Sequence, residues 1–326
     1  MKKRSSIAVA MILSVILVLA APSVASAKSY KTNDPGFNKA YHISEVGAVK
    51  SWNFIKRINK VRVAVLDTGV NINHPDLQKS LNKSLSVDVT GNRPTKLTSD
   101  LTDHGTHVAG IIGATANNKK GLVGIASGED NNISEIIMVK VFNKKENGDV
   151  VTRTSSIVKG IDYAIANGAE VINLSLGFKK DNPALKAAVD KAYNAGITVV
   201  AAAGNNNSRA AYYPADYSST ISVASVDKSN KKSSFSNFGD EDIAAPGNYI
   251  YSTAGNGYGY KSGTSMSTAM VTATVANMLA TNPTLSPDQI RNILTETAKP
   301  FSKSRNSSSL GQGVLNTAAA VKAAQN

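Results

Sequence analysis

The sequence predicts a doubly wound, mostly parallel α/β sheet with helices on both faces, and three observations predict it. Apolar, β-branched runs long enough for buried strands recur along the chain. Between them lie segments with helical spacing of apolar residues, and a strand, helix, strand rhythm builds a parallel sheet through crossover helices. The 24 glycines and 10 prolines are spread through turns rather than gathered in a linker, and no repeat divides the 326 residues, so one domain is expected after the amino terminus.

At that terminus Lys2, Lys3 and Arg4 precede an apolar run over residues 7–21, closed by Ala25–Ser26–Ala27. This is the pattern of a secretory signal peptide cut after Ala27, and the run is shorter than the roughly 20 residues of a membrane span. A single domain over residues 28–326 follows, with no membrane span left and an extracellular destination. Residues 28–60 are irregular, with a turn at 33–36 and an amphipathic piece over 46–55. The run from Val61 to Asp67 reads as a buried strand ending in a carboxylate, at the sheet edge where open α/β folds gather their sites.

A second strand is expected near 85–89, then a helix opening at 103–110 with His104 in its first turn. The positive end of that helix predicts a neutral imidazole there. His107, three residues on, reads as a packed histidine. With no His-Glu-x-x-His pattern and no cysteine, zinc is not expected.

Strand 135–141 follows, then helix 154–167, with Ile157, Ile161, Ala164 and Ile165 on one face and Gly168 as its stop. Next come strand 171–175 and helix 183–194, with Asn182 as cap, Pro183 in first position and Gly196 at the end. Strands 197–203 and 220–226, a hairpin over 249–261, a helix running from the loop at 261–263 to Leu279, and helices 287–297 and 314–324 complete the chain.

The formal charge of +13 falls to about +10 without the three basic signal residues, which is compatible with an anionic cell wall, acidic peptides or a generally solvated basic surface. No nucleic-acid motif is present, and basic clusters such as 228–232 are short and interrupted. The absence of cysteine leaves stability to the core and to bound metal.

Ser265 sits where free backbone N–H groups and the positive end of a helix converge, the setting that stabilises an oxyanion beside a nucleophilic hydroxyl. Asp67, His104 and Ser265 supply an orienting anion, a proton acceptor and a hydroxyl, the set required for nucleophilic acyl transfer. Their chain order, Asp, His, Ser, differs from the α/β-hydrolase and chymotrypsin orders. Gly263–Thr264–Ser265–Met266–Ser267 also lacks the closing glycine of a Gly-x-Ser-x-Gly elbow.

Asp67–Thr68–Gly69, the run from His104 to Gly110, and Gly263–Thr264–Ser265–Met266 together resemble the subtilisin-like serine proteases, over nearly all of residues 28–326. The resemblance implies a subtilisin-like fold and secreted endopeptidase activity. Ser265 would be the nucleophile, His104 the base, Asp67 its orienting anion and Asn205 an oxyanion-hole amide. Ser175, Leu176 and Gly177 resemble the edge that pairs with an extended substrate, and Ala202, Ala203 and Gly204 resemble a wall of the primary specificity pocket. Residues 206–213 at its back hold no Asp or Glu, so Lys or Arg before the cut is not favoured, and Tyr212 narrows the pocket.

The resemblance also implies structural calcium held by Asp34, Asp76 and Asn118, with a weaker second site involving Asp227. It implies a protein or peptide substrate, and we expect a monomer. Thr268 and Ala269 depart from the family's proline and histidine, and no room for a pro-domain separates residue 27 from Asp67. Residues 143–156 read as a lengthened loop beside the cleft, which would restrict substrates toward one dedicated peptide. Two rival readings remain at this point: a catalytically weak relative that binds peptides or associates with the wall, and an esterase.

Overall fold

The computed structural model describes residues 32–55, 60–131, 133–301 and 309–326; the expected signal segment 1–27 lies outside them. Short helices α1 (Tyr41–Glu45) and α2 (Ala48–Ser51) lead to strand β1 (Val61–Asp67), then β2 (Val87–Asp88), β3 (Thr95–Lys96), helix α3 (His104–Gly113) and β4 (Ser134–Lys140). A small hairpin, β5 (Phe142–Lys144) and β6 (Val150–Thr152), precedes α4 (Thr154–Ala166), β7 (Val171–Leu174), α5 (Pro183–Asn194) and β8 (Thr198–Ala202). Strands β9 (Thr220–Val226) and β10 (Ile243–Pro246), the hairpin β11 (Ile250–Ala254) with β12 (Gly257–Lys261), and helices α6 (Thr264–Thr281), α7 (Pro287–Glu296) and α8 (Thr317–Ala323) finish the chain.

The main sheet has the order β10-β9-β8-β7-β1-β4-β2-β3, parallel throughout except where β3 pairs antiparallel with β2. Successive strand residues point to opposite faces, and here both faces are covered. Val63 and Val65 of β1 pack in one apolar cluster with α3 and α6, while Ala64 and Leu66 pack in another with α4 and α5. Burial on both faces is why the β1 sequence is apolar throughout instead of alternating. The chain builds outward from β1 in both directions, so the switch in strand order lies between β1 and β7, and ligand crevices form beyond the carboxyl ends of strands at such a switch.

The expected fold class holds, and most element bounds agree with the sequence reading to within a few residues. Helix α5 begins where its chemistry says it should: Asn182 Oδ1 accepts from the N–H groups of Ala184 (3.0 Å) and Leu185 (3.2 Å), and Pro183 follows. Strand β3 lies where a polar loop was expected, and three further features differ. Strand β10 was not foreseen, because Ile-Ala-Ala-Pro is too short to show a period. The segment read as a long loop folds back as β5 and β6, paired antiparallel from Phe142 to Thr152. The last helix starts later than residue 314, because Val314 is bridged to Ala244 and Lys299 and Asn316 caps the helix instead.

Ile161 of α4 is fully buried against the sheet. Truncation by Ile161→Ala is expected to cost about 2–5 kcal/mol, and loss of the α5 cap by Asn182→Ala about 1 kcal/mol. Urea unfolding followed by circular dichroism checks both, and equal losses would contradict this ranking.

Candidate active site

Asp67 ends β1, Ser175 follows β7 directly and Asn205 lies just past β8, so three adjacent strands deliver polar residues to one edge of the sheet. His104 opens α3 and Ser265 is the second residue of α6. The approach of α3 to β1 depends on glycine at both contact points. A Cβ on Gly105 would overlap the Gly69 carbonyl oxygen and lie 3.1 Å from Asp67 Cβ; Gly69 itself holds φ 115°, and a Cβ there would overlap the Ser99 carbonyl oxygen. Asp103, just before His104, adopts the left-handed conformation that an Asp tolerates.

At this contact His104 Nδ1–H donates to Asp67 Oδ1 at 2.7 Å. A carboxylate only accepts, so Nδ1 carries the proton and Nε2 is left for other work. Asp67 is 1% exposed; its Oδ1 also accepts from Thr68 N–H at 2.7 Å, and its Oδ2 has no partner among the described residues. Burial pushes the His104 pKa down, but the charge of Asp67, its hydrogen bond and the charge of Asp100 outweigh burial and the opposing Lys261, so the net shift is upward. This corrects the expectation of a ring held neutral by the helix end. The dipole of one helix terminus is a smaller influence than a carboxylate in contact.

Ser265 is 7% exposed, more enclosed than an exposed nucleophile would be. Its Oγ–H donates to the Ser175 carbonyl oxygen at 3.2 Å, and no hydrogen bond among the described residues joins it to His104. Ser175 Oγ returns a bond to the Ser265 carbonyl oxygen at 3.0 Å and accepts from Asn173 Nδ2 at 2.9 Å; Thr272 Oγ1 donates to Asn173 Oδ1 at 2.9 Å. Asn205 Oδ1 accepts from the Thr264 N–H (2.9 Å) and hydroxyl (3.1 Å). That assigns the amide's orientation and leaves Nδ2 as a donor at the α6 amino terminus, beside the Ser265 N–H that no earlier helical carbonyl satisfies.

Several positioning residues were missed in the sequence. Asp100 Oδ1 accepts from Thr68 Oγ1 at 2.6 Å and its Oδ2 from the Thr106 N–H (2.8 Å) and hydroxyl (2.7 Å), which ties the start of α3 to the end of β1. Asn237 holds the loop after β8: its Nδ2 donates to Ala203 O at 2.8 Å and its Oδ1 accepts from Asn206 N and Ser208 N. An acid shortly before a helix start was a readable signal for Asp100; Asn237 offered none.

His107 is buried as expected, its Nε2–H shared between the carbonyls of Ile250 and Gly259, and burial lowers its pKa to about 3. Thr268 bonds back to the Thr264 carbonyl at 2.8 Å, and Ala269 is buried.

The residues read as calcium ligands meet on the far side of α3. Asp34 accepts from the N–H groups of Asn117 (2.8 Å) and Asn118 (3.0 Å), and Asp76 Oδ1 accepts from Asn118 Nδ2 at 2.6 Å. Burial pushes the Asp76 pKa up to about 7, with Asp34 adding to the rise. Among the described residues no group of three or more His, Cys, Asp or Glu side chains forms a metal cluster. Asp227 stands apart, its Oδ1 spent on the N–H groups of Ser229 and Lys231 in a turn.

Because the folded pKa of His104 lies above its ordinary 6.5, the charged pair with Asp67 stabilises the fold fully below pH 6.5, and that contribution is lost as pH rises through the folded value. In an NMR titration of the ring, the midpoint is expected above 6.5 and should fall on Asp67→Asn; an unchanged midpoint would contradict the assigned cause.

A profile of the subtilase family of peptidases matches residues 59–314. The chain is 40% identical over 268 residues to subtilisin DY of Bacillus licheniformis, covering 80% of this chain and 91% of that protein. It is also 40% identical over 276 residues to thermitase of Thermoactinomyces vulgaris, covering 84% and 93%. Among solved structures, a protease from Pseudoalteromonas arctica superposes with a TM-score of 0.80 at 29% identity, over 90% of this chain and 99% of that one. With its family profile, its relatives and its parallel sheet in agreement, the chain belongs to the subtilase family and is a serine endopeptidase.

Proposed function

We propose that this endopeptidase works through Asp67, His104 and Ser265, with Asn205 in the oxyanion hole. The observation that carries the reading is the 2.7 Å bond from His104 Nδ1–H to buried Asp67, which aims a basic Nε2 away from the carboxylate. For attack, the Ser265 hydroxyl must leave Ser175 O and turn to that nitrogen. Ser265 Oγ then attacks the scissile carbonyl while His104 takes its proton, later given to the leaving amine, and Asp67 stabilises the imidazolium. Asn205 Nδ2 and the Ser265 N–H bind the oxyanion. The segment from Ser175 to Gly177 pairs with the extended substrate backbone, an edge pairing that gives affinity with little sequence demand, and that from Ala202 to Gly204 forms the other wall of the primary specificity pocket.

The bond between Ser265 Oγ and Ser175 O in place of one to His104 favours, as a second reading, a catalytically weak protein that holds peptides in this cleft. Cleavage of a fluorescent peptide separates the two. Under the catalytic reading Ser265→Ala loses about 10⁶-fold in kcat, as subtilisin does on losing its serine. Asn205→Ala loses about 10²–10³-fold, as subtilisin does on losing its oxyanion amide. A folded wild type with no activity above Ser265→Ala would establish the binding reading.

In its place of action the chain is secreted, freed of residues 1–27, and monomeric. Among the described residues no helix is long and apolar enough to cross a membrane.

Asp34, Asp76 and Asn118 fit structural calcium: two buried carboxylates lie beside the Asn118 amide, whose Nδ2 now donates to Asp76 and whose oxygen would turn toward a bound ion, and the high Asp76 pKa marks a carboxylate short of a countercharge. Bound calcium would supply that charge and brace the loop after α3; it takes no part in the reaction. A calcium concentration 100 times Kd is expected to add about 2.7 kcal/mol of stability. A chelator should therefore lower Tm in the wild type and leave the Tm of Asp76→Ala unmoved; an insensitive wild type would refute the site.

A further inference from the structure

The gap between the strand ends carries an inference about which peptides are cut, and it rests on the roles proposed for Ser265 and His104. His104 stands over β1, and it must protonate the leaving amine, so the leaving half of the substrate exits on the β1 side. The acyl half then lies over β7 and β8, the next strands in the sheet. The side chain of the residue just before the scissile bond enters the gap between residues 175–177 and residues 202–204, which run on from those strands.

That gap is filled. A Cβ placed on Gly177 would overlap Tyr212 Cε1 and lie 2.8 Å from its Cδ1 and from the Tyr213 carbonyl oxygen. A Cβ placed on Gly204 would lie 3.0 Å from the same Cδ1 and 3.1 Å from the same Cε1. One edge of one ring therefore touches both walls; Gly177 accommodates it only as glycine, while at Gly204 a Cβ would overlap Asn237 Nδ2 and press on the ring.

The backbone on both sides of the ring is fixed. Phe178 N–H donates to Tyr213 O at 2.7 Å and Tyr213 N–H to Phe178 O at 2.8 Å, an antiparallel bridge that fixes Tyr212 beside Gly177. Across the gap, Asn237 N–H donates to Gly204 O at 2.9 Å and its Nδ2 to Ala203 O at 2.8 Å. Tyr212 is half-buried, and a second ring does not enter the gap without moving the first.

We propose that Tyr212 occupies the volume that a large side chain would need, and so restricts this protease to glycine or alanine immediately before the cut. No Asp or Glu lies between residues 206 and 213, so a cationic side chain gains no ion pair there in compensation.

Chromogenic peptide anilides that differ only in that residue, Gly, Ala, Leu, Phe or Lys, provide the test, with active enzyme counted by the burst from p-nitrophenyl acetate. The wild type is expected to cleave the Ala peptide with kcat/KM at least 100-fold above the Phe peptide. Tyr212→Gly should raise Phe cleavage about 100-fold or more, while Tyr212→Phe keeps the wild-type order. Wild-type cleavage of the Leu or Phe peptide within tenfold of Ala, or a Tyr212→Phe variant that accepts Phe, would overturn the proposal. Absence of both burst and cleavage in folded wild type would overturn the roles of Ser265 and His104 and the proposal with them.

Discussion

From Thr264 to Ala280 every side chain of α6 is buried, so each polar group along that helix needs a partner inside the protein. Ser267 Oγ donates to Ala245 O at 2.9 Å, and Thr272 Oγ1 to Asn173 Oδ1 at 2.9 Å. Asn277 Nδ2 donates to Ser51 Oγ at 3.2 Å and Ile125 O at 3.1 Å. Thr268 and Thr274 bond back to carbonyls one turn earlier. These bonds fix the helix in rotation and along its axis against β10, β7 and the amino-terminal segment. Contacts far along the helix thereby set where Ser265 stands, and the Thr264 bonds to Asn205 anchor the one end that emerges at the sheet edge. The departures from the family pattern just past Ser265, Thr268 and Ala269, fall on this buried shaft and leave the polar end untouched.

The electrostatics follow from the same burial. A carboxylate taken out of water is costly unless paired and hydrogen-bonded, and the two most enclosed acids of the two sites solve this differently. Asp67 is compensated by His104 and the Thr68 N–H, which makes the imidazole its natural countercharge and raises the pKa of the ring. Asp76 meets the Asn118 amide, the Leu122 N–H and the Tyr258 hydroxyl but, among the described residues, no cationic side chain, and its pKa rises instead. The first arrangement stores the capacity to stabilise an imidazolium. The second leaves a carboxyl group that holds its proton up to about pH 7.

Strand β1, helix α5 and helix α6 were legible because each carries a strong local signal: an unbroken apolar run, an Asn-Pro start, and small residues before a long apolar stretch. Strand β10 and the hairpin of β5 and β6 were not, since a four-residue strand and two exposed short ones have no period to read. At the site, residue types at strand ends and helix starts marked Asp67, His104 and Ser265, and the family resemblance added Asn205. Asn173 and Asn237 escaped notice because their roles exist only once β7, the loop after β8 and α6 lie together, and Asp100, though it stands shortly before a helix start, meets Thr68 and Thr106 only in the fold. The ionisation of His104 was misread for a related reason: the helix it opens is visible in sequence, whereas the carboxylates that outweigh it arrive from residues 67 and 100. Tyr212 stood out in the loop sequence, but contact of one ring edge with both Gly177 and Gly204 is visible only in the fold.

The central claim is that the pairing of His104 with Asp67 activates one serine, Ser265, among the many in the chain. Incubation with a fluorophosphonate, followed by peptide mapping by mass spectrometry, tests it most directly. The account predicts a single adduct on Ser265 in the wild type and none in a folded His104→Ala variant; an adduct on another serine, or equal labelling of Ser265 in His104→Ala, would contradict it.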